Sequence, residues 1–511
     1  MFPMHPIGLL QIGAVRFFLA IFPTFLYNKY TNHFLSGPSW RFRPDNTKEV
    51  RLLSHHNSKG RPDQRQRMLE APVPPLICKL AVPTIISMLV TSLYNMADTY
   101  FVSQINTSAS GAVGIVFSVM AIIQAFGFTV GTGAGSLASR LMGQGKRDEA
   151  HSCASSSVLF ALVLGVALSA LGLVNLDRLI WLLGSTDTIY PYARDYAWYI
   201  LLGAPVMILS FTLNNLLRWQ GQANLSVIGL TTGGILNIIL DPLFIFGFNM
   251  GIGGAGAATL LSQCISLGIL ASFFLLGRSA LRVSPALISR SPKMYYSIFK
   301  LGMPSLFRQG VASVSNMALN FNARLYGDAA VAALAIVGKV FMMIQSITIG
   351  FGQGFQPVLG YNYGAGKMGR VKEAIFFSLK ICTVVLSTAA VIGFAFTPQI
   401  ITFFRDDPLV IEIGVRTFRF QCFTLPGWPV MVFSNMLFQS LGKSGRATVL
   451  AICRHGLYIP LVFLMAGNFG LFGLEISQSI ADTLTFLVSA IIMLHFFRSE
   501  FRQESNQNEA P

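Results

Sequence analysis

Charged residues are scarce in this sequence: they make up 11% of 511 residues, whereas a soluble domain carries about 25%. The shortage excludes an ordinary soluble domain, and a hydrophobic fraction of 53% predicts a polytopic membrane protein. The net charge of +16 suggests a nucleic-acid partner only at first sight. Most basic residues lie in short connectors between apolar runs, where the positive-inside rule accounts for them. We therefore expect a lipid bilayer, and no nucleic acid, as a partner.

Two kinds of chemical signature are missing. The six cysteines are scattered and no two have metal-binding or redox spacing, so free thiols are expected. Patterns typical of zinc proteases, P-loop proteins and nucleophile elbows are absent, and we expect neither an enzyme nor a cofactor. The glycine-rich run at residues 131–135 looks like a nucleotide-binding loop, but it lies in an apolar segment with no strand before it. It indicates close helix packing.

Twelve apolar segments follow residue 79, each of about 20 residues or more and long enough to cross a bilayer. Their approximate cores are residues 80–103, 111–138, 154–176, 190–217, 224–248, 254–277, 298–323, 329–358, 375–397, 409–440, 447–467 and 470–496. Connectors after even-numbered segments are rich in Lys and Arg, whereas those after odd-numbered segments hold few. This asymmetry predicts a multi-pass protein of the cell (inner) membrane with both termini in the cytoplasm.

The second half of the sequence repeats the first. Lys79-Leu80 recurs as Lys300-Leu301, which gives a shift in numbering of 300 − 79 = 221, and Gln124 recurs as Gln345 at the same shift. Six segments are an even number, so both halves start on the same side and the repeat is parallel. We predict an all-α polytopic membrane protein whose twelve transmembrane helices form two six-helix bundles.

The repeat divides the chain into parts. Residues 69–277 form an N-terminal six-helix lobe, 278–297 a cytoplasmic linker, 298–497 a C-terminal six-helix lobe and 498–511 a cytoplasmic tail. Residues 1–68 form an N-terminal extension with two open interpretations. One is a targeting segment or an extra membrane helix. The other is a disordered extension, or an upstream start codon with Met68 as the real one.

An amide and a carboxylate lie four residues apart in segment 5, at Asn237 and Asp241, and share one face of a helix. Pro242 distorts the backbone beside them. Asp98 in segment 1 and Thr259 in segment 6 lie at a similar depth, roughly 7–11 Å below the outer surface. Oxygen atoms that converge in this way suit Na⁺ or a shared proton. The alternative is structural: Asp98 caps a helix end and Asp241 pairs with a basic residue.

The second bundle has intramembrane charges of its own, at Arg308, Lys339, Arg454, Glu475 and Asp482. Glu475 and Asp482 are seven residues apart, which places them two turns along one face of segment 12. They either pair with Lys339 or Arg308 or line a substrate path, and structural pairing explains them at least as well.

Four stretches carry a resemblance to a known family. They are Lys79-Leu80-Ala81-Val82-Pro83, Tyr94-Asn95-Met96-Ala97-Asp98-Thr99, Asn237-Ile238-Ile239-Leu240-Asp241-Pro242, and Gly352-Gln353-Gly354-Phe355-Gln356-Pro357 with Asn362-Tyr363-Gly364-Ala365-Gly366. Over about residues 69–500 the chain resembles the multidrug and toxic compound extrusion (MATE) antiporters. The resemblance is to the bacterial type, and it implies a cation site of Asp98, Asn237, Asp241 and Thr259 in the N-terminal lobe. It also associates Pro83 with a bend of helix 1.

The resemblance implies a secondary antiporter that exports organic, cationic and amphipathic compounds in exchange for Na⁺ or H⁺ by alternating access. We expect it to act as a monomer on small-molecule substrates. Candidates for the substrate path are Tyr94, Met96, Met317, Lys339 and Asp482, although core packing explains the tyrosine and methionines nearly as well. The nearest alternative is a flippase for lipid-linked oligosaccharides, which would need a strongly basic cavity. A membrane enzyme or receptor would need a catalytic cluster or a soluble domain, and neither is visible.

Overall fold

The computed structural model describes residues 64–508, apart from the side chains of Asn95, Met96 and residues 500–508. The interpretations offered for residues 1–63 lie outside this range. Regular structure within the described range is helical throughout, and no strand occurs in it.

Twelve membrane spans follow one another along the part of the chain that the structure describes. They are span 1 (Val73–Ser103), span 2 (Thr107–Gly143), span 3 (Arg147–Val174), span 4 (Tyr190–Leu202 with Ala204–Trp219), span 5 (Ala223–Pro242), span 6 (Gly251–Leu275), span 7 (Pro292–Ala323), span 8 (Asp328–Gly364), span 9 (Met368–Ala395), span 10 (Pro408–Thr424 with Trp428–Ser440), and spans 11 and 12 within Ser444–Asn508. Shorter helices are Gln64–Glu70 before span 1, Leu176–Leu182 after span 3 and Thr397–Phe404 after span 9.

Apolarity identifies most of these spans. Eight helices of the described chain are long and apolar enough to cross a bilayer, and the two parts of span 4, bent by 49°, make a ninth. One of the eight, Ser444–Ser499, contains both span 11 and span 12. Spans 7 and 10 are more polar and include charged side chains such as Arg308 and Arg416.

Spans 11 and 12 form one helical run that reverses at Gly470, where φ is 61° and ψ is −143°. Nε of Arg454 lies 3.4 Å from Oδ1 of Asp482, although residues 28 positions apart would be separated by about 42 Å on a straight helix. Glycine adopts this backbone region readily because it has no Cβ. Gly470 therefore brings the charges of spans 11 and 12 together.

The two lobes pack through spans 1 and 8 and through spans 2 and 7, two pairs that exchange under the shift of the internal repeat. Glycines allow the close approach. A Cβ atom on Gly133 would lie 2.0 Å from the carbonyl oxygen of Ile298, and one on Gly302 would lie 1.9 Å from that of Thr129. The run at residues 131–135 thus packs against helices, as predicted.

Hydrogen bonds join the lobes at the end of the bundle that holds the basic connectors after even-numbered spans, which we call the basic end. Ser136 of span 2 donates to the carbonyl oxygen of Gln439 in span 10 at 2.7 Å. Arg218 of span 4 donates to the side-chain oxygen of Gln356 in span 8 at 3.2 Å. The lobes are closed against each other at this end.

The helix Gln64–Glu70 lies across the joint between the lobes at the basic end. Arg65 donates to two carbonyl oxygens at the end of span 2, at 2.9 and 3.1 Å. From the other lobe, Asn362 of span 8 donates to the carbonyl oxygen of Met68 at 3.1 Å. We call residues 64–71 the strap.

The strap begins before the domain boundary predicted at residue 69. Met68 is fully buried, and its sulfur lies 2.7 Å from the position that a Cβ on Gly221 would occupy. Residues 64–68, predicted as part of the extension, therefore pack with the two lobes.

Candidate cation site

Spans 5 and 6 bring three of the predicted site residues together. Nδ2 of Asn237 lies 3.0 Å from Oδ1 of Asp241 and 3.2 Å from Oγ1 of Thr259. The four-residue spacing places the amide and the carboxylate on one helix face. All three side chains are buried, and Asp241 is 0% exposed.

The backbone beside this pair is irregular. Pro242 has no N–H group and cannot make the α-helical hydrogen bond at its position. Leu243–Gly247 then continues as a π-helix, a feature that often occurs at functional sites. The backbone distortion predicted at Pro242 is present.

Asp98 joins the cluster through a residue that sequence reasoning missed. The hydroxyl of Tyr196 in span 4 donates to Oδ2 of Asp98 at 3.4 Å and interacts with the hydroxyl of Thr259. Tyr196 is fully buried. It lies in an aromatic run at residues 190–199, where a tyrosine looks like a packing residue. One signal could have indicated such a residue: a carboxyl group buried at Asp98 requires a hydrogen-bond donor beside it.

Three acceptor oxygens of this cluster are buried without a hydrogen-bond partner: Oδ1 of Asp98, Oδ1 of Asn237 and Oδ2 of Asp241. Within residues 64–499, neither carboxyl group forms an ion pair with Lys or Arg. The structural alternative, in which Asp241 pairs with a basic residue, therefore does not describe this arrangement. Buried carboxylates are costly unless a cation or proton joins them.

The donor set favours a hard cation or a proton over a transition metal. Carboxylate, amide and hydroxyl oxygens are ligands for hard cations. Over the described part of the chain, no group of three His, Cys, Asp or Glu side chains is arranged to hold a metal ion. The four oxygen-bearing side chains thus fit Na⁺ or H⁺.

Pro83 lies inside span 1, and the helix continues through it. The neighbouring hydroxyl of Thr84 lies 2.6 Å from the carbonyl oxygen of Gly350 in span 8. The bend at Pro83 stays a prediction.

The residues predicted for the substrate path do not form one cluster. Tyr94 is half-buried beside Gly234 of span 5, and Met317 of span 7 is 66% exposed. Met96 lies in span 1, but its side chain is outside the described residues. Lys339 lines a separate cavity near the end of the bundle opposite the basic end, with Asp328, Ile336, Arg405 and Asp407.

The buried acids of the second lobe are paired. Oε1 of Glu475 lies 2.9 Å from Nη2 of Arg416. Oδ2 of Asp482 accepts from Nε1 of Trp428 at 3.1 Å, and Arg454 pairs with its other oxygen. These partners differ from Lys339 and Arg308, which the sequence suggested.

A family model described as MatE matches residues 83–243 and, a second time, residues 304–464. The two matches are offset in numbering by 304 − 83 = 221, which equals the shift of the internal repeat. The chain belongs to the MatE family. The double match, together with MATE structures that superimpose on this chain, confirms the predicted twelve-helix fold of two lobes.

Named relatives of this MatE chain are export proteins. It is 28% identical over 418 residues to the multidrug export protein MepA of Staphylococcus saprophyticus, with 81% of this chain and 92% of the relative covered. It is 27% identical over 443 residues to the protein of that name from Staphylococcus aureus, with 86% and 97% covered. The MatE chain is therefore a multi-pass membrane protein of a transporter family.

Two solved structures illustrate the likeness of fold. A crystal structure of MATE in complex with MaL6 superimposes with a TM-score of 0.79 at 26% identity, covering 84% of this chain and 97% of the other. A MOP superfamily transporter from Pyrococcus furiosus does so with a TM-score of 0.79 at 25% identity and the same coverage. That protein is described with a binding pocket of reverse polarity that suggests a different function.

Proposed function

We propose that this chain is a secondary antiporter that exports organic, cationic and amphipathic compounds in exchange for Na⁺ or H⁺. The buried cluster of Asp98 and Asp241 is the observation that supports it most, because each carboxyl group has one oxygen without a hydrogen-bond partner and, among the described side chains, neither pairs with Lys or Arg. The names of the staphylococcal relatives support multidrug export.

Each residue of the cluster has a role in this proposal. Asp98 and Asp241 bind the coupling cation or proton, and Asn237 and Thr259 are supporting ligands. Tyr196 positions Asp98 by its hydrogen bond. Binding of the cation changes the balance between two arrangements of the lobes, which requires a difference in cation affinity between those arrangements.

Orientation, location and assembly belong to the same proposal. The positive-inside rule assigns the basic end to the cytoplasm of a cell (inner) membrane, with both termini there. The lobes, closed at that end, would then be in an outward-facing arrangement. The exporter would act as a monomer, with the organic substrate between the lobes.

A flippase for lipid-linked oligosaccharides is the second candidate. One observation favours it: Arg308 and Arg454 line one cavity in the second lobe, and guanidinium groups bind phosphates well. The Pyrococcus furiosus transporter, whose binding pocket of reverse polarity is described as suggesting a different function, supports attention to pocket charge in this candidate.

Ethidium efflux from vesicles, with pH and Na⁺ gradients imposed one at a time, tests the antiporter. Export driven by one gradient and lost in Asp98→Asn supports the proposal and names the ion. No export under either gradient, with verified protein in the vesicles, contradicts it and favours the flippase.

A further inference from the structure

A cavity of the second lobe contains more positive than negative charge. It is lined by residues of spans 7, 8, 10, 11 and 12, among them Arg308, Gln345, Asn435, Arg454 and His455. We call it the basic cavity. Arg308 lies at the middle of span 7, which runs from Pro292 to Ala323. The cavity is therefore near the midplane, the depth at which transporters of lobed architecture bind their substrates, and two of the spans that line it, 7 and 8, pack against the first lobe.

The acidic side chain of this region, Asp482, already has hydrogen-bond and ion-pair partners. Asp482 accepts from Nε1 of Trp428 and Nε2 of Gln478, each at 3.1 Å, and from Nε of Arg454 at 3.4 Å. The Arg454 guanidinium also lies 4.6 Å from the centre of the Trp428 ring. Asp482 thus holds Arg454 in place, and one negative charge is balanced by one positive charge.

Arg308 remains without a counter-charge. Within residues 64–499, no acidic side chain forms an ion pair with it, and its charged neighbours are Arg454 and Arg218. A charged side chain inside a membrane span is costly and normally pairs with another group. The cavity around Arg308 also presents the amide of Gln345 and the ring of His455. These groups complement an acceptor-rich anion.

We propose that the basic cavity binds the anionic group of the transported compound, a carboxylate or phosphate on an amphiphile, through the guanidinium of Arg308. Arginine presents N–H donors in a planar fork that matches carboxylate and phosphate oxygens. This inference rests on the proposed transport function and specifies its substrates: amphiphiles with an acidic group are included. The carboxylates of the cation site and Arg308 lie in different lobes.

Binding of two dyes that differ in one group tests the proposal on purified full-length protein in nanodiscs. Rhodamine 110 has a free carboxylate, and rhodamine 123 is its methyl ester. We expect Arg308→Gln to weaken binding of the acid about tenfold or more, because it removes a charge-assisted contact. The ester has no free carboxylate to contact Arg308, so its affinity should change by less than about twofold, which corresponds to about 0.4 kcal/mol.

Two variants separate this effect from general damage. Arg308→Lys keeps the charge but loses the planar fork, so we expect an intermediate loss for the acid. Lys380→Gln removes an exposed lysine from the middle of span 9 and should leave both dyes unchanged. Equal loss of both dyes in Arg308→Gln, or no difference from wild type for the acid, overturns the proposal.

Nanodiscs of two lipid compositions distinguish the two sources of the anionic group, a membrane lipid and a soluble acid. If the headgroup of an anionic lipid occupies the site, wild-type affinity for the acid dye is lower in phosphatidylglycerol nanodiscs, whose lipid is anionic, than in phosphatidylcholine nanodiscs, whose lipid is zwitterionic, and Arg308→Gln abolishes this difference. If a soluble acid is the ligand, lipid composition has no such effect. Ethidium has no acidic group. Ethidium export by Arg308→Gln therefore tests the proposed antiport separately from the proposed binding of an anionic group.

Discussion

Replacement of Asp241 by asparagine separates the charge of the cation site from its packing. The side chain is 0% exposed and accepts from Asn237 through Oδ1. Asparagine keeps the size and one acceptor oxygen, so this hydrogen bond can persist. The new amide N–H₂ replaces Oδ2, which has no partner. A buried unsatisfied donor costs about 1–3 kcal/mol, which most membrane domains of this size tolerate.

The loss of cation affinity should be larger. A carboxylate about 4 Å from a monovalent cation contributes about 4 kcal/mol at an effective dielectric constant of about 20. That energy corresponds to about a thousandfold in affinity. Because Asp98 remains and the asparagine oxygen replaces one ligand, we expect a loss between about tenfold and a thousandfold.

The assay is ethidium export by proteoliposomes under the gradient that drives the wild-type protein, with protein content and thermal midpoint measured on the same preparation. Asp241→Asn should abolish export at cation concentrations that saturate wild type. Asp406→Asn, a matched change at an exposed carboxylate, should export normally. Full export by Asp241→Asn at normal content would refute the coupling role.

Three further predictions concern packing and positioning. Tyr196→Phe removes the hydroxyl that contacts Asp98 and should reduce export about threefold without lowering the thermal midpoint; Tyr199→Phe on the same helix should have no effect on export. Gly133→Ala places a Cβ 2.0 Å from a carbonyl oxygen of the other lobe and should lower the thermal midpoint. Gly114→Ala, with nothing within 4 Å, should not lower it, and equal midpoints would contradict the close packing. Arg416→Gln leaves the buried carboxylate of Glu475 in span 12 without its guanidinium partner. It should lower the free energy of unfolding by about 2 kcal/mol, and an unchanged midpoint in thermal unfolding would contradict this.

The fold followed from features that are local in sequence. Apolar length predicted the spans, and the internal repeat predicted two lobes. The site was predicted in part for the same reason, since a four-residue spacing in a helix fixes the common face of Asn237 and Asp241. Equal depth in neighbouring spans then indicated Asp98 and Thr259.

The features that sequence reasoning did not predict depend on contacts between distant parts of the chain. The partners of Glu475 and Asp482 are set by the rotation of spans 10, 11 and 12 and by the reversal at Gly470, none of which has a periodic signature. The strap is short, and its partners lie at residues 142–143, 220–221 and 362–370. No local pattern relates such positions.

The strap has a mechanical consequence. Both lobes hold the strap, and Ala71 and Pro72 join its helix to the start of span 1, whose far part contains Asp98. From Val73 to Asp98 span 1 is about 38 Å long, and a tilt of about 5° would displace the far end by about 3 Å. The hydroxyl of Tyr196 lies 3.4 Å from Asp98. A small rotation where the lobes meet would thus be amplified into the making or breaking of a contact at the carboxylate.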